Sequence, residues 1–493
     1  MIYNFNLGIG WASSGVEYAQ VYRARMFRNI GVDAKFVFTD MFPSENIEHM
    51  TKNIGFLDSE VIWLYTFFTD FKTAPVTYTL SDLEKTFTDL NYTKTREGKI
   101  CRYVFGGSNN FYTAYMVNDH DDFVHRVELV SNGFLIRKDY FTYGRVYSEY
   151  YAPLDNKAHL YHRRFFNENG SVAYEEINDD NRVMYKFKDK ILCSKEEFVG
   201  YMVSQLNLTS DDIVIIDRAT DIGQSILMNC KPARVGIIVH ADHFSEKDTN
   251  EDYILWNNYY EYDFNMHKHI DFYVCATQAQ SYLLKAHFEK YYGVTPCVYT
   301  IPVGSLPELK YPKDGRKPFS LITASRLASE KHIDWICKAV IQAKSKYPEL
   351  CLDIYGVGAE RTKLETIIRD NNASDYIHLM GQHDLSEVYQ NYEAYIAGST
   401  SEGFGLTLME AVGGGLPIIG FDVRYGNPTF IRNGENGYLI DLPEEDKDRV
   451  EALRKGIVNL FKQDLEKCHS VSYLVAKDFL TSNVQEKWRE AVC

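Results

Sequence analysis

The sequence predicts an α/β protein of two doubly wound domains, the first interrupted by an antiparallel β-sheet. Three observations carry this reading. The chain opens as strand, glycine loop, helix, strand. Residues 73–190 change to short runs rich in Tyr, Phe, Val and Thr, punctuated by hairpin turn residues. From 319 to 441, apolar strand-like runs alternate with helical patterns. At 493 residues the chain exceeds the size at which one core stops growing, so two or three domains are expected.

In order, 2–7 reads as a strand, 8–15 as a glycine loop, 16–30 as a helix, and 34–39 and 61–67 as further strands. Gly8 and Gly10 are followed by Ser13 where a dinucleotide fingerprint needs a third glycine, which argues against a nicotinamide or flavin enzyme. In 73–190 the turn chemistry comes from Gly106-Gly107, Ser131-Asn132-Gly133 and Asn167-Glu168-Asn169-Gly170. Tyr147, Tyr150 and Tyr151 are expected to be exposed there, as at an interface; a stabilising flap is the plainer alternative. Alternation then resumes with 213–217, a helix near Gln224, 235–240, the aromatic stretch 253–262, 272–276, a helix over 278–291, and 298–302. The Pro- and Lys-containing stretch 303–318 reads as a linker. Strands near 320–324, 352–356, 377–380, 394–397 and 417–421 form the second domain. The expected division is therefore 1–72 with 191–305, the insertion 73–190, a second domain 306–445, and closing helices 446–493 that return to the first domain.

With 53 Lys plus Arg against 68 Asp plus Glu, the formal charge of -15 disfavours nucleic acid and anionic membranes as ligands. No apolar run approaches membrane-spanning length, and the N-terminus enters a strand without a basic region or cleavage site, so a cytoplasmic location is expected. Nine cysteines without a Cys-x-x-Cys fit reduced, packed thiols.

The densest chemistry lies where Glu402 and Glu410 enclose seven residues, followed at once by Gly413-Gly414-Gly415-Leu416-Pro417. Gly403 and Gly405 remove Cβ atoms that would hold a ligand off the backbone, and a helix begins behind them. Free N–H groups and the positive helix end suit an oxygen-rich ligand, with two carboxylates facing it from different depths. Taken alone, each glutamate reads as solvated. Arg326 and Lys331 follow the run 319–324, placing two cations at the carboxyl edge of a parallel sheet, where they suit a diphosphate without a metal. His240 ends the run 235–239 at the corresponding edge of the first domain. His240 and His243 have only Asp242 as a nearby carboxylate and no third ligand at suitable spacing, so no metal site is expected. Gln382 and His383 follow the strand 377–380, and Asp384 reads as the N-cap of a helical run.

The Glu402 and Glu410 spacing resembles the donor-sugar motif of retaining glycosyltransferases of family 4, the GT-B type with two facing Rossmann-like domains. With the opening Asn6-Leu7-Gly8-Ile9-Gly10-Trp11-Ala12-Ser13-Ser14-Gly15-Val16-Glu17-Tyr18 and Val239-His240-Ala241-Asp242-His243, the chain resembles, over essentially its whole length, the catalytic subunit of the accessory-secretion glycosyltransferase pair of Gram-positive bacteria. The resemblance implies transfer of N-acetylglucosamine from UDP-N-acetylglucosamine to Ser and Thr of serine-rich repeat adhesins before export. It also implies a related non-catalytic, stabilising partner subunit, docked through the insertion, and a place in the cytoplasm, peripheral at the cell membrane with that partner. No cofactor is implied; the UDP-sugar is the donor substrate. By the same resemblance Arg326 and Lys331 hold the diphosphate, Glu410 holds the ribose, and Glu402 with the amides of Gly403, Phe404, Gly405 and Leu406 holds the sugar's outer hydroxyls. His240 touches the sugar, Gln382 and His383 meet the uracil, and Gly15 admits the diphosphate with Val16, Glu17 and Tyr18 close behind. The alternatives are UDP-glucose as donor, a lipid or soluble carbohydrate acceptor, or the non-catalytic partner itself, which should lack the set Arg326, Lys331, Glu402 and Glu410.

Overall fold

Strand Ile213–Ile216 is buried at all four positions, the mark of a central strand covered on both faces. In the computed structural model, which describes residues 1–9, 15–87, 91–106, 109–179 and 182–493, it pairs in parallel with Ile2–Asn6 and with Arg234–Val239. Ala34–Phe38 lies beyond Ile2–Asn6, and Val61–Trp63 beyond that. The chain divides into two compact units. One holds Met1–Ala24, Val32–Ile238 and Asn258–Asp271; the other holds Arg25–Gly31, Val239–Asn257 and Phe272–Cys493.

The strand expected over 61–67 is shorter, because Leu64–Phe67 coils into a helical turn. The chain leaves the sheet there, and the carbonyl of Tyr65 accepts the Tyr174 hydroxyl at 2.7 Å while its ring stacks on Phe165 at 5.7 Å. These contacts tie the parallel sheet to the insertion, a ten-stranded antiparallel meander running in sequence order from Tyr92–Glu97 to Ile191–Leu192. Its hairpins use the backbone that right-handed strand twist demands. Asn132 and Gly133 have φ of 50° and 81°, Asp155 and Asn156 have 50° and 59°, and Gly170 has 80°. Gly107 lies outside the described residues.

Tyr147 corrects an expectation. It is 3% exposed and stacks on Tyr140 at 4.3 Å and Phe165 at 5.4 Å. Its face of the strand Arg145–Leu154 looks inward, towards Trp63 at 6.3 Å. Tyr150 and Tyr151 are half-buried; the Tyr151 hydroxyl donates to Glu149 at 2.6 Å, and Arg164 lies over the Tyr150 ring.

In the other unit, six parallel strands run in the order Ile377–Gly381, Cys351–Tyr355, Ser320–Ala324, Ala394–Ile396, Ile418–Phe421, Gly437–Ile440. Helix Ile333–Ala343 buries Trp335, Ile336 and Val340 against this sheet's core. Phe272–Cys275 pairs with Val298–Thr300, and the last helix, Thr481–Val492, sets Trp488 edge-on against Phe27 at 5.3 Å. Residues 272–305 and the closing helices share a compact unit with 306–445. All nine cysteines are free and six are buried. Among the described residues no helix is long and apolar enough to cross a membrane.

Asp263 is 1% exposed, and among the described residues neither carboxylate oxygen has a hydrogen-bond partner. Burial pushes its pKa from an ordinary 3.8 up to about 7. The folded state therefore holds this proton more tightly than the unfolded chain. Its contribution is most favourable below the ordinary value and is lost as pH rises through the folded one. Asp263→Asn should flatten this fall: in thermal melts its Tm should gain on the parent between about pH 4 and pH 7. A constant Tm difference across that window would show that Asp263 is not held neutral.

Candidate active site

Ala394–Ile396 ends at the carboxyl edge of the six-stranded sheet, and the following loop delivers Glu402 to the helix Leu406–Gly413. Gly405 makes the turn with φ of 88°, and a Cβ there would lie 2.6 Å from Leu408 Cδ1. Phe404 anchors the loop against Phe430 at 5.2 Å and Phe479 at 6.0 Å. The Glu402 backbone is clamped as well: its N–H donates to Arg424 O at 3.1 Å, and its carbonyl accepts from Tyr425 N at 2.5 Å and Gly426 N at 2.7 Å. A Cβ on Gly426 would lie 2.3 Å from Phe404 O, so the two segments meet only because Gly426 has none.

The Glu402 carboxylate accepts Lys331 Nζ at 2.6 Å, with the two side chains 20% and 17% exposed respectively. Lys331 reaches this point because Gly398 lets the chain pass: a Cβ there would lie 2.8 Å from His332 O and 3.0 Å from Lys331 O. A charge-assisted bond of this kind contributes about 1.5–3 kcal/mol. His240, half-buried, follows Arg234–Val239, and its carbonyl lies 3.4 Å from where a Gly403 Cβ would stand. His243 is turned away into the core. Its Nε2 lies 3.1 Å from His287 Nδ1, its Nδ1 lies 3.5 Å from the Tyr425 hydroxyl, and burial pushes its pKa down to about 3. It is a neutral prop beneath Tyr425, the residue whose amide holds the Glu402 carbonyl.

Arg326 follows Ser320–Ala324 on a loop pressed flat by two glycines. A Cβ on Gly356 would lie 1.9 Å from Ser325 O, and one on Gly358 2.3 Å from Leu327 O. The guanidinium is exposed and pairs with Glu330 at 3.1 Å. Gln382 and His383 are exposed after Gly381, and His383 Nε2 lies 2.8 Å from Met380 O. The helical run expected behind Asp384 is instead a turn, in which the Asp384 carboxylate accepts Ser386 N at 3.0 Å, then the short 3-10 segment Tyr389–Asn391. The turn drops Tyr389 and Gln390 into the core, which a continuing helix from Asp384 would not require. The Tyr389 hydroxyl donates to Glu410 Oε2 at 3.0 Å. Burial raises the pKa of Glu410 above the ordinary carboxylate range, with the Tyr389 bond opposing the rise.

Gly15, Val16, Glu17 and Tyr18 form the first turn of the helix Gly15–Ile30 in the other unit. Among the described residues nothing lies within 4 Å of the Cβ position of Gly15, and Tyr18 is exposed. Glu17 faces inward: its carboxylate accepts Asn6 Nδ2 at 3.4 Å and pairs with Arg218 at 3.3 Å, beside the Arg23–Asp217 pair at 2.5 Å. Its side chain is engaged in that network, at the start of the helix behind the glycine loop. Sequence reasoning missed Tyr389 and Tyr425, because a tyrosine folded in from elsewhere in the chain has no local spacing to announce it.

A parallel α/β unit with paired glutamates at a glycine-loop helix start, and an arginine and a lysine on the loop that follows the adjacent strand Ser320–Ala324, defines a glycosyltransferase of the GT-B type. Residues 310–473 match the family of glycosyl transferases group 1, and 93–189 match the GtfA extended beta-sheet domain. The GtfA subunit of UDP-N-acetylglucosamine--peptide N-acetylglucosaminyltransferase from Streptococcus agalactiae is 52% identical over 492 residues, covering 99% of this chain and 97% of that protein. A crystal structure of a GtfA/B complex matches with TM-score 0.97 and 51% identity, covering 100% of this chain and 99% of that one. The pneumococcal O-GlcNAc transferase GtfA in complex with UDP and GlcNAc matches with TM-score 0.89 and 50% identity, covering 100% and 98%. The chain belongs to the GtfA subunit family of these N-acetylglucosaminyltransferases.

Because the Glu410 pKa is raised in the fold, its contribution to stability is most favourable below the ordinary 4.5 and is lost as pH rises through the folded value. Glu410→Gln should therefore gain in Tm on the parent as pH rises from the ordinary value through the raised folded one. A Tm gap that does not widen would contradict the burial argument.

Proposed function

We propose that this chain transfers N-acetylglucosamine from UDP-N-acetylglucosamine to Ser or Thr hydroxyls of a polypeptide, with retention at the anomeric carbon. The observation that carries the reading is the Lys331–Glu402 contact at the head of the helix Leu406–Gly413, in a chain about half identical to GtfA subunits along its length. Arg326 and Lys331 bind the diphosphate and offset the charge that grows as the sugar's bond to the β-phosphate breaks. Lys331 Nζ has three protons, so it serves Glu402 and a phosphate oxygen together. The electron pair leaves with UDP, and the acceptor oxygen bonds to the anomeric carbon from the same face. Its proton passes to the departing phosphate. No enzyme nucleophile takes part. Glu402 and the amides of residues 403–406 hold the sugar's outer hydroxyls, Glu410 the ribose, Gln382 and His383 the uracil edge, and His240 orients the sugar.

The reading includes no metal or cofactor, because the two cations do the charge work a metal would. It includes a partner subunit, as the solved GtfA/B complex has one, here read as related in fold and non-catalytic. It also includes a serine-rich repeat adhesin as acceptor, modified in the cytoplasm or at the membrane periphery before export. Glu402→Gln should leave Tm near the parent value and reduce radiolabelled GlcNAc transfer to a serine-rich peptide by about a hundredfold or more, and EDTA should leave the parent rate unchanged. Near-normal transfer by the variant would overturn the assignment of Glu402; loss with EDTA would overturn the metal-free mechanism.

A further inference from the structure

Tyr389 occupies a position that the donor motif does not specify. Its side chain is 3% exposed, and its hydroxyl donates to Glu410 Oε2 at 3.0 Å. Gly414 is what admits it: a Cβ there would lie 2.8 Å from Tyr389 Cβ and 3.1 Å from Gln390 N, so the turn Tyr389–Asn391 lies directly on the end of the helix that carries Glu410. The same turn closes the segment that begins at Gln382 and His383.

We propose that Tyr389 is a positioning residue for the donor nucleotide, holding the Glu410 carboxylate in the one orientation that accepts both hydroxyls of the ribose while making no contact with the nucleotide itself. The proposal rests on Glu410 as the ribose ligand. A glutamate side chain has three rotatable bonds, and a helix surface leaves it several rotamers. One bond to a buried, stationary donor removes that freedom before the ligand arrives. It also keeps Oε1 and a lone pair of Oε2 available, and a diol that donates two hydrogens needs both. Burial and the neighbouring Glu410 hold the Tyr389 hydroxyl well above its ordinary pKa, so it remains a donor wherever Glu410 is ionised. The charge of Asp384 also acts on Glu410, and it disfavours the ionised form that Tyr389 favours.

The test compares the parent with Tyr389→Phe, which keeps the ring and removes the donor. Calorimetric titrations with UDP and with 2′-deoxyuridine diphosphate are set beside steady-state kinetics on UDP-N-acetylglucosamine. The variant should bind UDP roughly tenfold more weakly and show a similar rise in KM with kcat almost unchanged. Its loss should shrink towards none for the deoxynucleotide, because one of the hydroxyls that Glu410 is oriented to accept is already gone. An equal loss for both nucleotides, which is also what a loosened fold would give, overturns the proposal, as does a fall confined to kcat. Parent protein that binds the two nucleotides equally overturns the ribose assignment of Glu410 itself, which is a separate failure read from a separate arm.

Discussion

A lysine and a glutamate 71 residues apart meet at 2.6 Å, and the donor side of this molecule is arranged around their meeting. Neither side chain is more than one-fifth exposed, so each would leave a poorly solvated charge if the other were removed. The pair is kept by backbone geometry more than by the side chains. Gly398 and Gly426 each stand where a Cβ would collide with a neighbouring segment, and Gly405 turns the loop at a positive φ of 88°, so the Lys331 turn, the Glu402 loop and the Tyr425 segment lie close together. An arginine in the same neighbourhood, Arg326, is left on the surface. The two cations thus differ in kind: Lys331 is held in a half-dry setting by Glu402, whereas Arg326 is exposed and pairs with Glu330, its neighbour on the loop.

What could be read directly from the residues was what is local. The seven-residue gap between Glu402 and Glu410 is a property of one loop and one helix, and the strands of the six-stranded sheet announce themselves as apolar runs with turn residues between them. The hairpins of the insertion were equally legible, since Asn132-Gly133 and Gly170 adopt the positive φ their residue types suggest. What failed was what depends on parity or on distant neighbours. Tyr147 was assigned to the surface because alternation alone does not say which face is inward; Trp63 and Phe165 decide that. The run 61–67 looked like one strand because nothing local reveals that the sheet ends at Trp63. The helix expected after Asp384 gave way to a turn that buries Tyr389, a tertiary gain that outweighs local propensity.

The insertion is stabilised unlike the parallel sheets around it. Its inner face is a continuous stack of rings, with Tyr140, Tyr147, Phe165 and Tyr174 in successive contact, and buried charge is answered there by partners of opposite charge. Glu149 accepts from Arg163, Tyr140 and Tyr151 together. The strand at the open edge, Tyr92–Glu97, is exposed at every position and carries Lys94, Arg96 and Glu97, which discourages another chain from adding to that edge without a specific match.

The connectivity of the two kinds of sheet sets a timetable for synthesis. Every strand of the meander pairs with its immediate neighbour in the chain, so the insertion assembles hairpin by hairpin as it leaves the ribosome. Ile2, by contrast, must wait for Ile213 before its strand is flanked on both sides. The first-made strand of the protein is consequently flanked on both sides only once the chain has reached residue 213.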